Sequence, residues 1–176
     1  TYVTIAQLGN GVDFGDMTAL YQNPTGAASQ TRLVMGTGEA PSGSYNTLEY
    51  VTFATTGNAQ DFGTTAVTAS YRNACGNAVR GIVAAGYTPS TINTIEFFTI
   101  ATLGDATDFG DLTSTRGGTT AMSSPTRGVF AGGRTPSIVD TIDFVSIMTT
   151  GNAVAFGDLL DNIGNCGAVS NGHGGL

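Results

Sequence analysis

The sequence predicts an all-β chain of repeated four-stranded units, and three observations predict it. Tyr2, Tyr50, Phe97 and Phe144 recur every 47 or 48 residues, and so do Phe14, Phe62, Phe109 and Phe156. A fixed period of this length is the mark of a repeat architecture. Each period divides into four short β-candidates separated by clusters of Gly, Pro, Asn and Ser. No stretch sustains a 3.6-residue apolar period, so little or no helix is expected.

The elements follow in order. The chain opens in mid-repeat, with residues 1–16 supplying the third and fourth strands of a unit. Thr1 is therefore either a processed terminus or the start of an excerpt. Three whole units follow at about 17–63, 64–110 and 111–157. In the first, a small-residue run around Thr25–Ser29 precedes Thr31–Gly38, and Pro41-Ser42 breaks the chain. Leu48–Ala54 then alternates Leu48, Tyr50 and Thr52 with Glu49, Val51 and Phe53. Bulky apolar groups on both faces mean a strand covered on both sides. Gly57-Asn58 signals a turn, and Ala59–Gly63 carries Phe62. Four short strands in roughly 40 to 50 residues is the period of propeller blades. A β-propeller of about 47-residue blades is thus expected in a single repeat domain, 1–176. Residues 1–16 and 158–176 would share a closing blade, giving four blades if the termini meet.

Two resemblances rest on these residues. An Arg opens each second strand (Arg32, Arg80, Arg127), a glycine-rich end follows, and an acid and an aromatic mark the next strand. This pattern resembles the kelch motif, which implies a kelch-like propeller. Phe14, Phe62, Phe109 and Phe156 stand where kelch blades usually carry Trp. The glycine pair is intact at Gly132-Gly133 and altered at Gly36-Thr37-Gly38 and Ala85-Gly86. The runs Thr55–Ala59, Asp108–Leu112 and Thr126–Gly133, with the terminal His173–Leu176, are similar in style to repeat-bearing structural (fibre or appendage) proteins of aquatic tailed phages. That resemblance implies a virion or extracellular scaffold and supplies no catalytic residues.

Composition narrows the function classes. The chain has 176 residues, 11% of them charged, with six basic groups against thirteen acids and a net charge of −7. All six cations are arginines. Nucleic-acid backbones and anionic membranes attract basic surfaces, so neither is an expected partner. No apolar run reaches the roughly 20 residues of a membrane span. Cys75 and Cys166 have no neighbours at metal-ligand spacing and read as two small buried thiols or one bridge.

Candidate chemistry is sparse. Asp-Phe-Gly recurs, but a kinase reading needs a strand lysine, and the chain has no Lys. Phe filling the space between units, with Asp and Gly shaping the turn, is the simpler expectation. Asp13 with Asp16, and Asp108 with Asp111, are weak calcium candidates. Thr64 and Ala155 replace an acid in the other copies, which favours turn chemistry over a metal site. His173, the only histidine, reads as structural. Arg32, Arg80 and Arg127 recur beside Glu49, Glu96 and Asp143, which suggests an arginine–carboxylate ladder. The Pro41-Ser42, Pro89-Ser90 and Pro136-Ser137 loops share one face and could take O-linked sugar or touch a partner.

The sequence therefore points away from an enzyme, with no catalytic residue, cofactor or metal expected. The leading expectation is a structural or assembly protein of a virion appendage or extracellular filament, working through self-association as a homo-oligomer or filament. The alternative is a receptor- or glycan-binding module that uses one loop face. Surface glycans and other virion proteins are the further partners foreseen.

Overall fold

Repetition at the level of residues becomes repetition of sheets. The computed structural model describes residues 1–170. His173 and the rest of the 171–176 tail lie outside the described residues. Within them every regular element is a strand, and no helix is long and apolar enough to cross a membrane.

The first sheet joins β1 (Thr25–Ala28), β2 (Arg32–Ala40), β3 (Gly43–Thr52) and β4 (Gln60–Thr64) as an antiparallel meander. The second joins β5 (Asn73–Gly76), β6 (Arg80–Ala84), β7 (Thr94–Thr99) and β8 (Thr107–Asp111) in the same order. The third joins β9 (Thr120–Ser123), β10 (Arg127–Ala131), β13 (Thr141–Ser146) and β14 (Val154–Asp158). Its middle connection carries a two-stranded ribbon, β11 (Arg134–Thr135) and β12 (Ser137–Ile138). Strand β1 packs on β5 and β6, and β5 packs on β9 and β10, so the sheets are stacked through their first strands.

Two apolar cores fill the two gaps. Ala27, Val34, Leu48 and Phe62 of the first sheet meet Phe98 and Ile100 of the second. Ile82, Ile95 and Phe109 of the second meet Phe130, Val145 and Ile147 of the third. The third strand of the middle sheet thus packs on both faces: Phe98, with Ile100 just beyond the strand, looks back, and Ile95 and Phe97 look forward. That is the physical origin of its two apolar faces.

Each outer strand carries a bulge at its phenylalanine. Leu48 pairs with Gly63 and Glu49 with Asp61, which leaves Phe62 unpaired. The same slip leaves out Phe109 and Phe156. A bulge bends the strand and re-aims the extra side chain. Here it turns Phe62 and Phe109 into the gaps, where both are 2% exposed.

The propeller expectation is overturned. Three discrete four-stranded sheets form among the described residues, none is closed into a propeller, and no four-blade ring forms among them. Closure needs residues 1–16 and the C-terminal stretch in one sheet. Instead residues 1–16 form a single bridge, Tyr2 to Val12, and lie against the first sheet. Residues 159–170 contain no strand, and their backbone bonds run to Gly118, Gly133, Val139 and Asp140. The shared closing blade therefore does not form among the described residues. The kelch-like glycine pair has a different basis too. Thr37, Ala85 and Gly132 occupy the same repeat position with φ of 47°, 62° and 64°, so the backbone is kept although two of the three residues are not glycine.

Candidate functional site

The chemistry of this chain is concentrated where one sheet meets the next. Three elements recur along the stack, two of them between neighbouring segments and one within each sheet.

The first is a backbone clasp. The amides of Gly57 and Ala59 donate to the carbonyls of Phe14 and Asp16 at 2.7 and 2.8 Å. Gly104 and Ala106 repeat this on Phe62 and Thr64, and Gly151 and Ala153 on Phe109 and Asp111, all at 2.8 or 2.9 Å. A side chain locks each clasp in return. Asn58 Oδ1 accepts from the Asp16 amide at 3.0 Å, Asp105 Oδ1 from the Thr64 amide at 2.8 Å, and Asn152 Oδ1 from the Asp111 amide at 3.1 Å. The approach is close enough that a Cβ at Gly15, Gly63 or Gly110 would lie 2.3 to 2.6 Å from the crossing backbone. All three glycines have φ between 142° and 147°, so an L side chain there would be strained as well as blocked.

The second element is a buried carboxylate that fixes the linker entering its own sheet. Glu49 accepts from the Thr18 amide and hydroxyl and from the Tyr21 hydroxyl. Glu96 accepts from the Ala66 amide and pairs with Arg72 at 2.5 Å. Asp143 accepts from the Thr113 amide and hydroxyl and pairs with Arg116 at 2.8 Å. Both ion pairs are shielded from water. Burial pulls the Arg72 and Arg116 pKa values down, and the adjacent carboxylates oppose that pull. Burial is also the largest cause raising the Tyr21 pKa, followed by its bond to Glu49.

The third element is the repeated arginine. Arg32, Arg80 and Arg127 do not meet Glu49, Glu96 and Asp143. They lie over the rings of Tyr50, Phe97 and Phe144, 4.1 to 5.0 Å from the centroids. From there Arg32 donates to the Ile100 carbonyl at 3.0 Å and Arg80 to the Ile147 carbonyl at 2.9 Å, each just past the third strand of the following sheet.

The acidic pairs take no part in holding the linkers, although Asp108 is the cross-strand partner of Glu96. Asp13 and Asp16 are exposed, and the Asp108 and Asp111 pair belongs to the clasp strand β8. Among the described residues no group of three or more His, Cys, Asp or Glu could hold a metal. Both cysteines are free; Cys75 is buried, and burial pushes its thiol up to about 12.

A cleft of about 430 Å³ opens between the linkers, lined by Tyr71, Tyr87, Thr91, Arg134, Pro136 and Asn165. Tyr71 and Tyr87 are 39% and 48% exposed. Sequence reasoning missed this cleft, because its residues hold different repeat positions and share no periodic signal. Gly57-Asn58 reads from sequence as a plain turn; with Gly104-Asp105 and Gly151-Asn152 it is in fact half of a clasp.

No family model matches the chain, and no curated protein matches it. No match from either comparison supports the resemblance to phage appendage proteins, and the kelch resemblance falls with the unclosed three-sheet architecture.

Proposed function

We propose that this protein is a self-assembling scaffold whose working surfaces are the two ends of its sheet stack. One observation carries the reading: the junction chemistry continues to surfaces that nothing in the described chain covers. At one end Val3, Ile5 and Leu8 are 61%, 99% and 106% exposed. At the other Val154, Phe156 and Leu160 are 58%, 58% and 103% exposed. Apolar side chains grouped at both ends of a repeat stack favour association. Light scattering after size exclusion tests the proposal: the mass should rise above the 17.8 kDa of one chain as concentration increases. A constant monomer mass up to the solubility limit would refute it.

The tyrosine-lined cleft favours a second reading, a recognition module for a sugar. Two exposed aromatic rings beside Arg134 and Asn165 supply stacking faces and polar donors, the usual make-up of a small-ligand site. A glycan array probed with the protein and with Tyr87→Ala tests this reading. Binding that disappears with Tyr87 supports it, and an array without signal counts against it.

A further inference from the structure

We propose that two copies of this chain join head to tail by one more clasp, in which Phe156–Asp158 of one copy grips the Gly9–Gly11 turn of the next. The inference rests on the scaffold reading above and names the surfaces that carry it.

Every part of a fourth junction is present and unused. Gly157 has a φ of 152°, matching Gly15, Gly63 and Gly110, yet among the described residues a Cβ there would meet nothing within 4 Å. The Phe156 and Asp158 carbonyls correspond to those of Phe62 and Thr64, and of Phe109 and Asp111, but among the described residues no turn amide reaches them. Phe156 keeps its edge contact with Phe144 and is 58% exposed, where Phe62 and Phe109 are 2% exposed. Arg127 sits over Phe144 as Arg80 sits over Phe97, and among the described residues no carbonyl of a following sheet receives its guanidinium.

The missing partners are all at the other end of the chain. Gly9, Asn10 and Gly11 correspond to Gly57, Asn58 and Ala59, and no described segment holds them as Phe14 and Asp16 hold that turn. Val3 and Ile5 correspond to Phe98 and Ile100, the side chains that cover Phe62. Docking would let the Gly9 and Gly11 amides donate to Phe156 and Asp158, Asn10 Oδ1 accept from the Asp158 amide, and Arg127 donate to the Ile5 carbonyl. Val3 and Ile5 would close over Phe156. The surfaces differ, so the contact is heterologous and propagates into a ring or a filament.

The test is directed disulfide formation in a Cys166→Ser background, with Asn10→Cys and Asp158→Cys placed in separate chains. A third chain carrying Asp111→Cys with Asn152→Cys reports whether the same clasp, inside one chain, oxidises. The proposal predicts a mixed dimer only when the two single variants are combined. It also predicts that Phe156→Asp weakens self-association roughly ten- to a hundredfold, from the apolar area left uncovered, with the β-sheet circular dichroism unchanged. Association that persists in Phe156→Asp and yields no mixed dimer, while the internal control closes, leaves the scaffold standing and overturns the clasp. If the internal control fails to oxidise, Phe156→Asp decides alone: weakened association supports the clasp and undiminished association overturns it. A monomer in which one chain carrying both Asn10→Cys and Asp158→Cys bridges itself overturns the clasp between copies. Absence of any association overturns both.

Discussion

Phe109 and Phe156 sit at the same repeat position, on the same bulge, beside a glycine of the same conformation. One is 2% exposed and the other 58%. Phe109 is closed over by Val145 and Ile147, and among the described residues no further sheet lies over Phe156. Local sequence prepared both residues for burial, and the neighbour decides which one achieves it. In a stack of repeats each junction therefore adds a stabilising term to that of the sheet itself.

Breaking an interior junction should cost far more than altering an end. The largest effect is expected at the buried ion pairs. Asp143→Ala leaves the Arg116 cation in the interior and should destabilise by about 3–5 kcal/mol, read from urea unfolding. Glu49→Ala removes an acceptor whose side-chain partners are neutral hydroxyls, so its cost should be smaller, about 1–3 kcal/mol. Equal losses at the two sites would argue against the buried arginine as the cause.

Phe109→Ala should cost about 3–5 kcal/mol. In dilute solution Phe156→Ala should stay within about 0.5 kcal/mol, as for a surface site. A large loss from Phe156→Ala in a dilute monomer would mean that the end is already covered.

The cysteines divide in the same way. Cys75 lies buried by the junction of the second and third sheets, whereas Cys166 is partly exposed. Alkylation of the native chain should modify Cys166 and spare Cys75, as mass spectrometry would show. The Cys75 thiol is raised from 9.0 to about 12 in the folded state, so its contribution to stability is intact below pH 9 and lost as pH rises toward 12. Unfolding midpoints should fall across that window, and Cys75→Ala should flatten the fall.

The smallest effect is expected at the clasp side chains. Asn152→Ala removes one hydrogen bond to the Asp111 amide and should cost about 1 kcal/mol. Asn10→Ala should leave the monomer's stability unchanged while weakening association.

Much of the fold was legible because its signals are local. The phenylalanine column, the Gly-Asn turns and the two-faced third strand each arise within a few residues. Closure was not legible, because residues 1–16 carry the same local signals whether or not a sheet forms around them. The period also suggested the wrong arginines. Arg32, Arg80 and Arg127 align from unit to unit, whereas the real ion-pair partners do not: Arg116 lies six residues after Gly110, and Arg72 nine after Gly63. Burial selects whichever donor reaches the carboxylate, and in the first unit that donor is Tyr21. Of the candidate site, the turn glycines and asparagines were visible, but their partner strands lie some 40 residues away.

If one junction serves both within the chain and between chains, its amides should report both uses. Amide hydrogen exchange followed by NMR over a concentration series measures this most directly. The Gly57, Ala59, Gly104 and Ala106 amides should be protected at every concentration, with Gly9 and Gly11 gaining protection only as the chain associates. Gly9 and Gly11 amides that stay unprotected in the associated state, or are protected already in the dilute monomer, would contradict a shared junction.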